Sequence, residues 1–396
     1  MTFYDFDYPV DRTGSGDFKH CALDRLFGRD DLIPLWVADM DFLTPQFITD
    51  ALRRRLDHSL FGYTMTPPEL WERIIAWEKD RHGWDVKREW LDFVAGIVKG
   101  IGMVVNVFVK EDEKVLIQPP VYHPFRLVPE ALHREVVFNP LIEDGDGSYR
   151  MDFEELDRLT SDPKTVLMIL CNPHNPVGIT WSPETLKEVA RICTKNHVLV
   201  ISDEIHCDMA IFGNKHHPFA SVSEEAANCS ITFQAPSKTF NIAGIVSSFA
   251  IVPNPEIRSR FFGWLEASEF DEPQLFAPIA TIAAYTPEGD EWRRQMLKYI
   301  EGNILFTEQW FKDNLPQIKP IRPQASFLVW LDCRSLGLSH KQLVDLFVNK
   351  ARLALNDGAI FGPNGSGFMR LNVGTQRAVL QHAFNSLKEA LEKQES

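Results

Sequence analysis

From residue 114 to residue 252, hydrophobic residues occur in short continuous runs that are separated by stretches with helical periodicity. Runs without polar alternation are typical of strands that are buried on both faces, as in a mainly parallel sheet. Strands are predicted at residues 115–118, 135–139, 165–171, 198–203, 231–234 and 247–252. The alternation of strands and helices predicts an α/β fold, in which ligands bind beyond the carboxyl ends of the strands.

Helical periodicity also marks segments before, within and after this region. Helices are predicted at residues 45–57, 68–81, 255–267, 273–285 and 288–311, after Ser182, after Ser339 and at the end of the chain. Ser182 is the predicted N-cap of its helix, with Pro183 as first residue, and Thr44 with Pro45 is interpreted in the same way. These elements predict a large α/β domain at residues 46–289 and a smaller α+β domain that combines residues 1–45 with residues 290–396.

A glycine, Gly96, precedes the apolar helix that begins near residue 97. Backbone N–H groups at such a helix start lack intrahelical partners, so they can bind a phosphate. A plain glycine turn before a core helix has the same pattern and is the more common case.

Composition and charge exclude several classes of function. The formal net charge is −14 and the basic residues form no stripe, which argues against a nucleic-acid surface. The six cysteines are scattered without a Cys-x-x-Cys pair, so we expect reduced thiols in a cytoplasmic protein and no metal site. The first residues lack a signal-peptide pattern and no apolar run reaches the length of a membrane span, so we expect neither secretion nor membrane insertion.

Polar residues with complementary chemistry follow three of the predicted strands. Asn175, Asp203 and Lys238 each lie in a loop at or just after a strand's carboxyl end. An amide, a carboxylate and an amine in this arrangement suit pyridoxal phosphate, whose ring oxygen, pyridine nitrogen and aldehyde carbon they can bind. Taken singly, a lysine in a loop is more often a surface charge, Asp203 and Asn175 are more often loop caps, and His206 is more often structural.

The loops also carry longer motifs: Asn-Pro-His-Asn-Pro-Val-Gly at 172–178, Ser-Asp-Glu-Ile-His at 202–206 and Ala-Pro-Ser-Lys-Thr-Phe-Asn-Ile-Ala-Gly at 235–244. With these motifs the chain resembles the fold-type I pyridoxal phosphate enzymes of the aspartate aminotransferase superfamily. Within that superfamily it is most similar to the MalY/PatB cystathionine β-lyases, also called cysteine-S-conjugate β-lyases. The similarity covers nearly the whole length, including residues 35–42, 61–64, 119–122 and 330–334.

The resemblance implies a role for each matching position. Around the cofactor ring it makes Lys238 the Schiff-base lysine, Asp203 the partner of the pyridine nitrogen, Asn175 a hydrogen-bond donor to the ring hydroxyl and Tyr122 a stacking partner. At the phosphate it places the N–H groups of Gly96, Ile97 and Val98, the hydroxyl of Ser237, and Tyr63 of a neighbouring subunit. At the substrate it places Arg370 on the α-carboxylate, with Trp36 and Tyr63 nearby. The implied assembly is a homodimer with active sites at the subunit interface.

The sequence also departs from the pattern of the superfamily. Many members carry an arginine eight residues after the lysine to bind phosphate, and here that position is Val246. Other groups must therefore neutralise the phosphate. Lys99 stands where relatives often have proline, and Phe327 stands where many have tyrosine, a change that affects the substrate pocket more than the chemistry.

The resemblance implies β-elimination from a small sulfur amino acid, L-cystathionine or a related cysteine S-conjugate, with thiol, pyruvate and ammonia as products. Lys238 would remove the Cα proton. The alternative in the same superfamily is an aminotransferase acting on an L-amino acid, in which Lys238 returns that proton to the cofactor. A cofactor-binding regulator would need a DNA-binding module, for which residues 1–45 are too short and too acidic. The preferred sulfur amino acid is left open by the sequence.

Overall fold

A computed structural model describes residues 3–145 and 147–395 of the chain. Residues 1, 2, 146 and 396 belong to the predicted domains but lie outside the described residues. The helices are α1 (Phe18–Cys21), α2 (Leu23–Phe27), α3 (Gln46–Asp57), α4 (Pro68–His82), α5 (Ile97–Phe108), α6 (Pro124–Ala131), α7 (Phe153–Thr160), α8 (Pro183–Lys195), α9 (Glu224–Asn228), α10 (Pro255–Ala267), α11 (Phe276–Ala284), α12 (Pro287–Asn314), α13 (His340–Asp345) and α14 (Arg377–Glu395). The strands are β1 (Ile33–Pro34), β2 (Leu91–Val94), β3 (Lys114–Ile117), β4 (Glu135–Phe138), β5 (Ile142–Glu143), β6 (Tyr149–Arg150), β7 (Thr165–Cys171), β8 (Leu199–Asp203), β9 (Ser230–Gln234), β10 (Ser248–Ile251), β11 (Lys319–Ile321), β12 (Leu328–Asp332), β13 (Leu353–Ala354), β14 (Asn356–Asp357) and β15 (Phe368–Asn372).

A seven-stranded sheet forms the centre of the molecule, in the order β2-β10-β9-β8-β7-β3-β4. Strands β9, β8, β7, β3 and β4 run parallel, whereas β10 pairs antiparallel with both β9 and β2. The predicted mainly parallel sheet is confirmed, and each predicted strand of this region is present. Strand β2 was not predicted, because its four residues include Asp92 and it lies at the edge of the sheet.

Helices cover both faces of this sheet, as alternate residues of β7 show. Leu167 and Ile169 belong to the hydrophobic cluster that contains α5 and α10, whereas Met168 and Leu170 belong to the cluster that contains α8. Both faces of β7 are therefore buried, which explains its continuous hydrophobic sequence. At the start of α8, the Ser182 side chain accepts a hydrogen bond from the Thr185 N–H at 3.2 Å, as predicted for an N-cap.

A second sheet, antiparallel and ordered β11-β12-β15-β14, lies near the end of the chain. Trp330 of β12 stacks on Phe368 of β15, with ring centroids 5.1 Å apart. The pairing of β12 with β15 places Arg370 opposite Trp330 and Asn372 opposite Leu328. Strand β15 thereby carries two polar side chains, those of Arg370 and Asn372, that are buried in the interior.

The N-terminal segment joins this second region. Strand β1 pairs with β13, and the chain continues through residues 35–42 toward α3. Helix α3 begins at Gln46 with Pro45 as N-cap, so the predicted start at Thr44 and Pro45 is wrong by one residue. The Thr44 hydroxyl donates to the Asn241 carbonyl at 3.1 Å instead of capping the helix. In the described part of the chain, no helix combines the length and the apolar character that crossing a membrane requires.

Candidate active site

The carboxyl ends of β7, β8 and β9 open into one cavity of about 280 Å³. Asn175, Asp203 and Lys238, predicted from three separate loops, all line it. The same cavity is also lined by Tyr122, Gly96, Ile97, Val98 and Ser237. The structure therefore brings together every residue that the resemblance places on the cofactor, except Tyr63.

Lys238 is held at the cavity by a loop that follows β9. Its Nζ donates to the Ala38 carbonyl at 2.6 Å. The Asn241 side chain fixes the loop by donating to the carbonyls of Met40 and Phe42, each at 2.8 Å. Burial lowers the pKa of Lys238 to about 8, since nearby Asp39 only partly offsets the cost of burying the charge. A buried amine with this pKa can be neutral near physiological pH, as a nucleophile or base must be.

Asp203 ends β8 and faces the same space. Its Oδ1 accepts a hydrogen bond from the Ile205 N–H at 3.1 Å. Burial, with a smaller contribution from the neighbouring Glu204 carboxylate, raises the pKa of Asp203 to about 7. A cationic nitrogen placed beside Asp203 would favour its ionised form, because an opposite charge lowers the pKa of a carboxyl.

Arg370 lies against Asn175 at the edge of this cavity. One guanidinium nitrogen, Nη1, donates to Asn175 Oδ1 at 3.0 Å, and Nη2 donates to the Trp36 carbonyl at 2.9 Å and to Asn356. Nε has no hydrogen-bond partner although it is buried. Within the described residues no carboxylate lies at ion-pair distance from Arg370, and burial lowers its pKa to about 10. A buried cation without a counter-ion is unfavourable unless an anion binds it.

The start of α5 forms another wall of the cavity. Gly96 adopts a left-handed backbone angle, φ +102°, that favours glycine. Its N–H donates to the Ser248 hydroxyl at 2.8 Å. The N–H groups without intrahelical partners are thus those of Ile97, Val98 and Lys99, the first three residues of the helix. Of the three N–H groups predicted for phosphate, that of Gly96 already has a partner within the chain.

Two residues that were predicted at the site, Tyr63 and Trp36, do not line this cavity. The Tyr63 side chain is fully exposed and does not line the cavity of its own chain. The Trp36 indole packs on Phe18 and Phe27, and its Nε1 donates to the Lys19 carbonyl at 3.0 Å. Trp36 contributes to the site through its backbone carbonyl, which accepts from Arg370, and its ring lines a separate cavity of about 380 Å³.

Of residues 36–40, only Trp36 was predicted at the site, although the carbonyl oxygens of its neighbours also support it. Besides the contacts of Trp36 and Ala38 described above, the Asn372 Nδ2 donates to the carbonyls of Val37 and Asp39, each at 2.6 Å. The only local signal was the pair of acids, Asp39 and Asp41, that closes the apolar run. In the structure, the fully buried Lys19 ammonium lies 2.8 Å from Asp41 and 3.6 Å from Asp39.

A group of possible metal ligands lies outside this cavity. His82, Cys207 and Asp208 have ligand atoms within 4.8 Å of one another. The Asp208 carboxylate accepts a hydrogen bond from the Trp77 indole at 2.9 Å and lies 3.3 Å from His82 Nε2. We interpret the group as a buried ion pair that joins α4 to the segment after β8.

The cavity suits pyridoxal phosphate in the chemistry of its donors. It offers an amine of lowered pKa for the aldehyde, a buried carboxyl for the ring nitrogen and free N–H groups for the phosphate. The unpaired Arg370 beside it can bind a carboxylate through two parallel hydrogen bonds.

Comparisons with known proteins agree with this interpretation. The family "aminotransferase class I and II" matches residues 30–387. The cystathionine beta-lyase PatB of Bacillus subtilis (strain 168) is 42% identical over 98% of this chain and 99% of its own.

Two solved structures show the same fold with a cofactor. Cystalysin from Treponema denticola, which contains pyridoxal phosphate, has a TM-score of 0.95 and 34% identity over 99% of this chain and 100% of its own. The C–S lyase from Staphylococcus hominis, solved with bound pyridoxal phosphate, has a TM-score of 0.90 and 32% identity over 98% of each chain. The predicted fold and cofactor are thereby confirmed.

Proposed function

Since the chain belongs to the class I and II aminotransferase family and uses pyridoxal phosphate, we propose that it is a carbon–sulfur β-lyase. Its substrate is L-cystathionine or a related cysteine S-conjugate, and its products are a thiol, pyruvate and ammonia. The observation that carries this proposal is the burial of Lys238 in one cavity with Asp203 and Asn175. The similarity to PatB supports a lyase over an aminotransferase.

The cofactor, when bound, supplies an electron sink for the electron pair that remains on Cα after proton removal. Lys238 would hold the cofactor covalently and, once released from it, take the Cα proton as a neutral amine. Asp203 would keep the ring nitrogen protonated, while Asn175 would bind the ring oxygen. Tyr122 would cover one face of the ring, and the start of α5 together with Ser237 would bind the phosphate.

Arg370 would orient the substrate through its α-carboxylate. Its contacts with Asn175, Asn356 and the Trp36 carbonyl fix the guanidinium, and the unpartnered Nε remains available. Because the guanidinium is planar, it can bind a carboxylate in one orientation. With the carboxylate held in this way, the Cα–H bond would be turned toward Lys238 rather than toward solvent.

One assay separates the lyase from the aminotransferase. The purified protein with its cofactor is incubated with L-cystathionine, and pyruvate and free thiol are measured with and without an added keto acid. A lyase forms both products without the keto acid. Strict dependence on a keto acid would show that the protein is an aminotransferase instead.

The low pKa of Lys238 predicts how cofactor capture depends on pH. Only the neutral amine attacks the cofactor aldehyde, so the capture rate should rise as pH increases toward the pKa of about 8 and then level off. Below that pKa the rate should change by about tenfold per pH unit. The cofactor-free protein is mixed with pyridoxal phosphate, the adduct is trapped by borohydride, and modified Lys238 is quantified by mass spectrometry. A rate that keeps rising to pH 10 would mean that Lys238 titrates as an ordinary lysine.

We also propose that the active assembly is a homodimer. Four large hydrophobic side chains that lie close together in the sequence are all more than half exposed: those of Leu60, Phe61, Tyr63 and Met65. Large exposed apolar patches of this kind are typical of protein interfaces. In the dimer, Tyr63 would reach the phosphate site of the partner.

This arrangement predicts complementation between two defective variants. Tyr63→Ala and Lys238→Ala should each be impaired alone. A heterodimer of the two has one site with both an intact Lys238 and an intact Tyr63, so a co-refolded equal mixture should recover about one quarter of wild-type activity. Activity and molecular mass are measured on the same sample. If the activity of the mixture were only the mean of the activities of the two variants, a shared site would be contradicted.

The predicted two-domain division, 46–289 and 1–45 with 290–396, is retained as part of this proposal. It is supported by the positions of the strands, since the seven-stranded sheet uses residues 91–251 and the four-stranded sheet uses residues 319–372. We propose a cytoplasmic location, which the six free cysteines support.

A further inference from the structure

The cavity contains few positive charges for a ligand that carries a phosphate. Among the described residues that line it, the basic ones are Lys99, Lys238 and His206, and the acidic one is Asp203. Burial lowers the pKa of His206 to about 3, so its ring is uncharged at neutral pH. A phosphate monoester carries a charge of roughly −1.5 to −2 at neutral pH, whereas a helix N-terminus contributes roughly half a positive charge. Lys238 is committed to the aldehyde end of the cofactor. Lys99 is therefore the remaining side-chain cation of the lining.

Lys99 lies beside the free N–H groups of α5. It is the third residue of the helix, directly after Ile97 and Val98. Its Cδ lies 4.0 Å from the position that a Cβ on Gly96 would occupy, so the side chain runs past the glycine at the helix start. The Lys99 side chain is exposed, which leaves its ammonium free to move to an anion bound at the start of α5.

The position of Lys99 is unfavourable unless an anion is present. A cation in the first turn adds to the positive end of the helix dipole. Other helices of this chain place acids there, such as Glu69 in α4, Glu184 in α8 and Glu288 in α12. Helix α5 has no acid in its first turn, and within the described residues no ion pair involves Lys99. Lys110, two residues after the last residue of the same helix, does pair with Glu113 at 3.2 Å.

The wall opposite the helix start is formed, among the described residues, by Ala243, Val246, Ser247 and Ser248, none of which carries a charge. Val246 lines the cavity, and its Cγ1 lies 3.7 Å from the position of a Cβ on Gly96. A cation at position 246 would thus face the same N–H groups as Lys99 does. Val246 has φ +55°, a left-handed conformation that is strained for a β-branched residue, so its backbone does not favour valine.

We propose that Lys99 binds the cofactor phosphate and replaces a cation that the opposite wall lacks. Its ammonium supplies the charge, while the N–H groups of Ile97 and Val98 supply directed hydrogen bonds. The proposal rests on the cofactor and not on the lyase reaction, so it holds for either reaction of the family. It predicts that Lys99 contributes to the affinity for pyridoxal phosphate and not to that for pyridoxal, which lacks the phosphate.

The test measures equilibrium binding to the cofactor-free protein by the quenching of tryptophan fluorescence. In Lys99→Gln the dissociation constant for pyridoxal phosphate should rise about tenfold, the effect of losing one charge-assisted hydrogen bond, and that for pyridoxal should change less than twofold. Lys110→Gln removes the same charge from an exposed position near the same helix and should leave both constants unchanged. The rise in the dissociation constant for pyridoxal phosphate that Lys99→Gln causes should be smaller at high salt, because salt screens the charge of the ammonium.

A rescue variant separates charge from shape. Val246→Arg, introduced into Lys99→Gln, restores a cation on the opposite wall and should recover most of the lost affinity for pyridoxal phosphate. Unchanged binding of pyridoxal phosphate by Lys99→Gln would overturn the proposal, as would an equal loss for pyridoxal. Failure of the unmodified protein to bind pyridoxal phosphate at all would instead refute the cofactor itself, so the two failures can be told apart.

Discussion

Replacing Lys238 by alanine is expected to lower pyruvate formation from L-cystathionine by roughly 10⁴-fold or more, because one side chain serves as both covalent anchor and base. The same variant should lose borohydride-trapped cofactor while still binding pyridoxal phosphate noncovalently through the helix start. Lys215→Ala, which removes an exposed lysine, is the matched control and should keep full activity. A Lys238→Ala protein that still forms the covalent cofactor adduct would rule out the assignment of this lysine.

The stability of the Lys238→Ala protein provides a second readout. Burial in the cavity lowers the pKa of Lys238, which means that its charged form is disfavoured there. Removing the amine should therefore not lower the thermal midpoint of the cofactor-free protein. Loss of activity without loss of stability would mark Lys238 as a functional residue, whereas unfolding would indicate a structural one.

The central fold could be predicted because β7, β8 and β9 are buried on both faces. The sequences of β7 and β8 are short hydrophobic runs, whereas β9 alternates polar and apolar residues although all of them are buried. The strand ends place Asp203 at the end of β8 and Asn175 after β7. Strand β2 escaped prediction because an edge strand of four residues carries no such run. The start of α3 was misplaced because Thr44 bonds to Asn241, nearly two hundred residues away, a contact that local sequence does not reveal.

The residues that face the cofactor were similarly predictable, whereas the contacts that hold those residues in place were not. The loops of Asn175, Asp203 and Lys238 follow strand ends that share one edge of the sheet, so their convergence follows from topology. The carbonyl of Ala38 that holds Lys238, and the amide of Asn372 that holds residues 37 and 39, depend on contacts between distant segments. No periodicity in the sequence encodes such pairings.

These supporting contacts explain why Lys238 and Arg370 keep a fixed relation. The Trp36 carbonyl accepts from Arg370, and two residues later the Ala38 carbonyl accepts from Lys238. One short segment therefore holds both the substrate-binding guanidinium and the reactive amine. The segment is anchored by Asn372 on one side and by Asn241 on the other, so both cations are supported by the same fixed stretch of backbone.

Replacing Asp203 by asparagine is expected to have opposite effects on activity and on stability. Asparagine has nearly the same shape and can still accept the Ile205 N–H, but it cannot pair with a protonated ring nitrogen. Losing one partner of a buried charge pair typically costs about 3–5 kcal/mol, so the lyase rate should fall by roughly 10²- to 5 × 10³-fold. Steady-state pyruvate formation with saturating cofactor measures this loss.

Stability of the cofactor-free Asp203→Asn protein should change in the other direction. Burial raises the pKa of Asp203 from 3.8 to about 7, so the folded protein holds a proton that the unfolded chain releases. The carboxyl therefore destabilises the fold increasingly as pH rises from 3.8 to 7, and at pH 8 asparagine should stabilise it by up to about 4 kcal/mol. Below pH 3.8 the difference should vanish. Urea unfolding across this pH range measures the change.

Asp332→Asn is the matched control for the sign of this effect. Burial alone would raise the pKa of Asp332, but its hydrogen bonds with Arg334 lower it below the ordinary value. Its removal should therefore destabilise the protein at neutral pH, and the effect should fade as pH falls from the ordinary pKa of aspartate through the lower pKa of Asp332 in the folded protein. If Asp203→Asn behaved like Asp332→Asn, Asp203 would be a carboxyl that stabilises the cofactor-free fold. A gain in stability together with a loss of activity would instead show that the fold tolerates an unfavourable buried carboxyl for the sake of the cofactor.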